Sequence, residues 1–183
     1  MKLFKTYSLI VFTTLLLWTN TVCAQTNNSF NKSISIEQQS VRKNLLHAET
    51  IFNDSLEVAL TIIEDNLLVA IDKNYKAEEA LAYRILGDFN ANLGNVNVAY
   101  SNYNKSIGIY KTLKQQLELY NIYHKYGQLT FNNGNFPLTD NLYKNALNIS
   151  IDIKDKKKET ETRLKTGELY LKSGYVTQAE NQY

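Results

Sequence analysis

The sequence predicts an all-α fold of antiparallel helix pairs stacked one upon the next, and three observations carry that expectation. Six of the seven glycines fall on one lattice: Gly87 and Gly94, Gly127 and Gly134, Gly167 and Gly174, with 7 residues inside each pair and 40 between pairs (127 − 87, 167 − 127). A recurrence of this size marks repeat architectures, in which no unit can bury its apolar face alone. From Val41 onward, apolar residues return at steps of three and four, the spacing that sets side chains along one helix face. No stretch alternates with period two, so no sheet is expected.

The stretch 1–24 reads as a signal peptide. Lys2 and Lys5 form a basic start, Tyr7 to Trp18 is apolar apart from Ser and Thr, and Val22-Cys23-Ala24 suits cleavage before Gln25. The apolar run is shorter than the ~20 residues of a membrane-spanning helix. Export to the periplasm or cell envelope follows as an expectation, with lipidation at Cys23 the weaker variant. Cleavage removes the single cysteine, leaving a fold that stands on packing without disulfides. It also removes two lysines, so the 20 basic residues become 18 against 18 acidic ones (20 − 2 = 18). A neutral chain of this kind offers no electrostatic footprint for nucleic acid or anionic lipid.

Residues 25–40 are polar and expected to be a largely extended leader. They contain Asn27-Asn28-Ser29 and Asn31-Lys32-Ser33, triplets that an Asn-rich chain produces by chance. The solenoid is expected over 41–183, in about four units: 41–74, 76–114, 116–154 and a truncated 157–183. In the first, Leu56, Ala59, Leu60, Ile63, Leu67 and Ala70 share a face, with Asp54 expected to cap their helix. Leu81, Ile85, Phe89 and Leu93 continue the pattern, then Val96, Ala99, Tyr100, Tyr103, Ile107 and Tyr110. The third unit runs through Leu119, Ile122, Tyr123, Tyr126 and Leu129, then Leu142, Tyr143, Ala146 and Ile149. Leu164, Leu169 and Leu171 open the fourth, with Val176 and Ala179 in its second helix.

The glycines divide into two kinds. Gly94, Gly134 and Gly174 stand between helices, where a left-handed residue ends a helix at little cost. Asn95 and Asn135 follow at once as caps, and Pro137 falls in a first turn, where its missing amide does no harm. Gly87, Gly127 and Gly167 lie inside helices, at roughly 1 kcal/mol each relative to alanine. A threefold repetition implies a neighbouring helix too close for a side chain.

In these positions the chain resembles the tetratricopeptide repeat family, whose units carry Leu-Gly in a first helix, a Gly-x-Tyr turn, and small-aromatic-small positions in a second. The match runs Tyr83, Leu86-Gly87, Gly94-Asn95-Val96, Ala99, Tyr103, Ser106, and then Tyr123, Tyr126-Gly127, Gly134-Asn135-Phe136, Thr139, Tyr143, Ala146. Gly167, Tyr170, Gly174-Tyr175-Val176, Ala179 and Tyr183 give a third copy. Leu46, Asp54, Leu56, Ala59 and Ile63 give a worn one, with His47 in the glycine's place. The resemblance implies a right-handed superhelical α-solenoid, its last repeat incomplete. The 40-residue unit exceeds the family's usual length of about 34. The extra residues are expected between units, around Lys111–Glu118 and Lys154–Lys158, with longer helices as a result. Tyr183 falls well before its helix should stop, so the sequence is expected to be the leading piece of a longer protein.

No catalytic constellation stands out. His47 and His124 stand on different units, with no partner at metal-ligand spacing. No metal or cofactor is expected, and the chain is not expected to be an enzyme. Lys154 to Glu159 is read as a solvated linker. The resemblance places a binding groove on the concave face, lined by the first helix of each unit: Arg84, Asp88 and Asn92, then Asn121, His124, Lys125, Gln128 and Asn132, then Lys165, Glu168 and Lys172. Such a groove would hold a protein or peptide segment, extended or helical. Arg84 and Asp88 stand where relatives that clamp chaperone tails carry Lys and Asn, and a carboxylate there repels a chain terminus. Units of this longer kind also look like those preceding the membrane helix of bacterial sensors (histidine kinases or transcription regulators), which gives the alternative expectation of an extracytoplasmic sensor region.

Overall fold

A computed structural model describes residues 36–182. The expected signal peptide with Cys23, most of the leader with its two Asn-x-Ser triplets, and Tyr183 lie outside the described residues. Contacts divide the chain into Met1–Ser40 and Val41–Tyr183. Residues 36–40, the described part of the first unit, are helical rather than extended.

The second unit is an α-solenoid of consecutive antiparallel helix pairs, with no strand among the described residues. It begins with α1 (helical over 41–51). There follow α2 (Leu56–Asp72), α3 (Lys76–Asn92), α4 (Val96–Thr112), α5 (Gln116–Asn132), α6 (Phe136–Asp152), α7 (Lys156–Lys172) and α8 (Val176–Glu180). From α2 to α7 every helix has 17 residues. Each packs mainly on its sequence neighbours, and α3 also touches α5.

All the turns from α2 onward share one form. Residues 74, 94, 114, 134, 154 and 174, evenly spaced along the chain, have positive φ between 55° and 81°. In each turn the following residue donates its N–H to a carbonyl one residue further back than an α-helical bond reaches, as Asn95 does to Asn90 (2.8 Å) and Gln115 to Tyr110 (3.1 Å). This closure satisfies carbonyls that a helix end leaves free. The turns between units are therefore as short as those within them. The extra residues of the longer unit lie in the helices themselves, which corrects the expectation of longer connections at 111–118 and 154–158. Lys154 is a left-handed turn residue. Asp155 caps α7 by accepting from the Lys158 N–H (3.1 Å), and Lys156 opens that helix, so no solvated linker exists there.

Asn95 and Asn135 occupy the cap positions, but only the Asn135 side chain caps, accepting from the Leu138 N–H (3.3 Å); that of Asn95 donates to Asn90 Oδ1 (3.4 Å) instead. The first unit departs from the lattice. Ser55, not Asp54, precedes α2, and its side chain makes no capping bond. The turn after α1 closes through Ser55 N–H to Ile51 C=O (2.9 Å) instead of the wider closure used elsewhere. The buried face of α1 is Val41, Leu45 and Ala48, while Leu46 and His47 are exposed. Ala48, the next residue along, is the small buried one in place of His47.

Gly87 and Gly127, two of the three interior glycines, meet the close neighbour expected of them. A Cβ built on Gly87 would lie 2.6 Å and 2.7 Å from ring atoms Cδ1 and Cε1 of Tyr103. One on Gly127 would lie 2.7 Å from Cδ1 of Tyr143 and closer still to Cε1. Each glycine thus receives the aromatic ring of the antiparallel partner helix, and Tyr103 and Tyr143 are buried at 2% and 0% exposure. Tyr123 and Tyr126 are buried as well. Small hydroxyls fasten the helices: Ser106 donates to the Ala80 carbonyl (2.6 Å) and Thr139 to Thr130 (2.9 Å). On α7, Leu164 and Leu171 are exposed and Leu169 is buried. Among the described residues, no helix is long and apolar enough to cross a membrane.

Candidate functional site

Because the pairs are antiparallel and the turns identical, the first helices α3, α5 and α7 recur at the repeat step and present corresponding faces. Two clefts open along that line, with Lys125 on α5 bordering both. The first, of ≈ 370 Å³, is lined by Arg84, Asn121, His124 and Lys125 together with Glu118, Tyr120, Lys158 and Glu161. The second, of ≈ 320 Å³, is lined by Asp88, Asn92, Lys125, Gln128 and Asn132 with Ala91, Tyr103 and Leu129. Eight of the eleven expected groove residues thus meet on adjoining clefts.

The other three do not join them. Lys165 and Glu168 pair with each other on α7 (3.0 Å). Lys172 borders a separate cleft of ≈ 510 Å³ between α6 and α7, with Phe136, Pro137, Asp140, Leu169, Tyr170, Ser173 and Tyr175. Its ammonium sits 4.6 Å over the Phe131 ring. This cleft follows from a substitution along the repeat. At the preceding junction Tyr100 packs on Tyr126 (centroids 5.0 Å apart), and one repeat later those positions hold Asp140 and Thr166.

The sequence places Arg84 and Asp88 outward, but the structure binds them into the fold. Arg84, 7% exposed, donates through both terminal nitrogens to Glu49 (2.8 Å each) and also to Asp88 (2.7 Å). Asp88 further accepts from Lys125 Nζ (2.5 Å) and Tyr103 Oη (2.7 Å). One network therefore joins α1, α3, α4 and α5. Arg84 and Asp88 are the buried members, and charges there persist only when paired and hydrogen-bonded, as the two-pronged Arg–carboxylate geometry achieves. Burial opposes the charge on Arg84, but the Glu49 hydrogen bonds and Asp88 outweigh it and hold the pKa up. The Arg84 hydrogen bonds hold the Glu49 carboxyl below its ordinary value against partial burial. Burial, then the charge of Asp88, pushes the Tyr103 hydroxyl far up, so it stays a donor.

His124 sits differently. Its ring lies 5.8 Å from those of Tyr120 and Tyr143, and its Nε2 is 3.6 Å from Glu161 Oε1, too far for a hydrogen bond. Burial lowers its pKa; Glu161 opposes that shift, and Lys165 and Lys158 add to it. Tyr120 ties α5 to α7, donating to the Lys158 carbonyl (3.2 Å) and accepting from Thr162 (3.2 Å).

Sequence reasoning missed Glu118, Tyr120, Lys158 and Glu161 as cleft residues, and Glu49 and Tyr103 as network members. One repeat step beyond Asn121 stands Glu161, so the lattice itself held that signal. Glu49 had none, because its separation from Arg84 does not match the repeat. No protein-family model matches the chain, and no curated protein matches it.

Proposed function

We propose that this chain is a tetratricopeptide-like, non-catalytic scaffold that acts outside the cytoplasm and holds a segment of another protein along α3, α5 and α7. The observation that carries this reading is the continuous line of polar side chains along the two clefts that Lys125 joins. Asn92, Asn121, Gln128 and Asn132 present both donors and acceptors there. Carboxamides of this kind suit the backbone of an extended or helical segment, whose own N–H and C=O groups must be satisfied on docking. Export rests on the basic-apolar-small pattern of residues 1–24.

The test is peptide display on the purified protein, followed by titration of recovered peptides against a triple variant, Asn92→Ala, Asn121→Ala and Asn132→Ala. None of these three side chains belongs to the Glu49–Arg84–Asp88–Lys125 network, so the fold should survive. Affinity at least tenfold weaker in the variant is expected. Unchanged affinity for every recovered peptide would refute the groove.

A further inference from the structure

The repeat supplies an internal comparison at two junctions. At the first, the Asp88 carboxylate gathers three donors: Arg84 from its own helix α3, Lys125 from α5, and the hydroxyl of Tyr103 from α4. One repeat later, Arg84 becomes His124, Tyr103 becomes Tyr143, and Lys125 becomes Lys165. Each position still offers an N–H or O–H donor, although an imidazole replaces the guanidinium. The acceptor is not, because Asp88 becomes Gln128, whose amide nitrogen turns to Asn132 Oδ1 (3.0 Å).

Two enclosed polar atoms are left over at this second junction. Tyr143 is 0% exposed, and its Oη has no hydrogen-bond partner; neither has the enclosed Nε2 of His124. The two rings are 5.8 Å apart. An enclosed polar atom without a partner is unfavourable, so it favours any ligand that completes it. Lys158, Lys165 and Glu161 act on His124, and Glu168 acts on Tyr143, so these are the charged groups around the place.

We propose that the junction of α5 and α7 receives a carboxylate from an Asp or Glu side chain of the bound segment, accepting from Tyr143 Oη, His124 Nε2 and Lys165 Nζ as Asp88 accepts from Tyr103, Arg84 and Lys125. The inference rests on the groove reading and adds to it the chemistry of one side chain. A carboxylate fits where an amide does not, because it is acceptor-only and can take three donors at once. Gln128 stands at the equivalent place on the chain and leaves Tyr143 unbonded, which agrees with that distinction. His124 borders the first cleft, and the charged side chains around the place are partly exposed. Lys165 and Glu168, which pair there, are 32% and 49% exposed, and Glu161 is 49% exposed. Once seated, the carboxylate joins α5 to α7 as Asp88 joins α3 to α5.

The experiment is titration with acetate, at neutral pH and constant ionic strength against chloride, following the imidazole 15N signals. The chain has two histidines, so a His47→Asn variant assigns His124. The expected result is a saturable shift at His124 with acetate and none with acetamide. The acetate midpoint should rise at least tenfold in Lys165→Met. Gln128→Asp places the carboxylate on the chain itself, so its His124 signal should start near the acetate-saturated position and no longer respond. A linear or absent response, an equal response to acetamide, or a Gln128→Asp protein that titrates like the parent would overturn the proposal. If displayed peptides bind while His124 ignores acetate, the carboxylate site falls and the groove stands. If His124 responds saturably while no peptide binds, the groove reading falls instead.

Discussion

Gly87→Ala and Gly108→Ala are the same chemical change in two helices, and the structure gives them opposite signs. In helix propensity alone each gains about 1 kcal/mol. Gly108 is exposed on α4, and a Cβ there meets nothing within 4 Å. Its replacement should therefore stabilise the protein by about 0.5–1 kcal/mol. At Gly87 the new Cβ would fall 2.6 Å from Cδ1 of Tyr103, a ring held at 2% exposure with no room to retreat. Overpacking of this kind costs about 1–3 kcal/mol. Any movement of the ring also strains the 2.7 Å bond from its hydroxyl to the Asp88 carboxylate, and hydrogen bonds to charged groups are worth about 1.5–3 kcal/mol. Set against the propensity gain, the net is a loss of about 1–3 kcal/mol. For a chain of this size that lowers Tm by roughly 2–12 °C. Urea unfolding followed by far-UV circular dichroism reads both variants, with the m-value checking that cooperativity is unchanged. A Tyr103→Val background removes the opposing ring atoms and should turn Gly87→Ala from destabilising to neutral or better. Equal stabilisation by Gly87→Ala and Gly108→Ala would refute the packing argument.

Three further outcomes follow from the same structure. Gly94→Ala forces a side chain onto a backbone at φ 77° and should cost about 1–2 kcal/mol, whereas Lys114→Ala, at φ 55° with a Cβ already in place, should change stability by less than about 0.5 kcal/mol in the same urea series. Arg84→Met removes the buried cation between Glu49 and Asp88, leaving them only Lys125, and should cost about 2–4 kcal/mol, below the figure for a wholly buried pair because Glu49 is 32% exposed and Lys125 remains near both. Because Glu49 titrates below its ordinary 4.5 in the fold, its contribution is present above pH 4.5 and lost as pH falls through the folded value; that acid step should be missing in Arg84→Met. His124 also titrates below its ordinary 6.5, so protonation disfavours the fold and stability should fall as pH drops below 6.5. A His124→Gln variant should lose that slope, and a slope of unchanged size would contradict the burial of the ring.

Much of this fold could be read in the chain because glycine is conspicuous. Gly94 and Gly134 announced turns, and Gly87 and Gly127 announced close approach. The turns between units were hidden because lysine and asparagine fill the same left-handed place at Lys114, Lys154 and Asn74. Lysine carries no turn signature, so those stretches looked like longer connections. The register of α1 was hidden for a related reason. Its turn lacks a left-handed residue, and the small buried residue slips from His47 to Ala48. The candidate site was legible as a face but not as chemistry. Helical spacing puts Arg84 and Asp88 on the line of first helices, yet spacing alone does not show that Glu49 reaches in to pair with Arg84 or that the Tyr103 hydroxyl bonds Asp88. Comparing positions across the repeat step, as with Asp88 and Gln128, recovers the distinction between a junction that completes itself and one that does not.

The nesting of each aromatic ring against the glycine of its partner helix, repeated at the same step, is the feature from which the turns, the clefts and the two junctions all follow. Nuclear Overhauser contacts test it directly. Cross-peaks should join the Gly87 Hα protons to the Tyr103 ring and the Gly127 Hα protons to the Tyr143 ring, with similar intensity. Absence of both, or presence of only one, would contradict an array built by repeating a single helix pair.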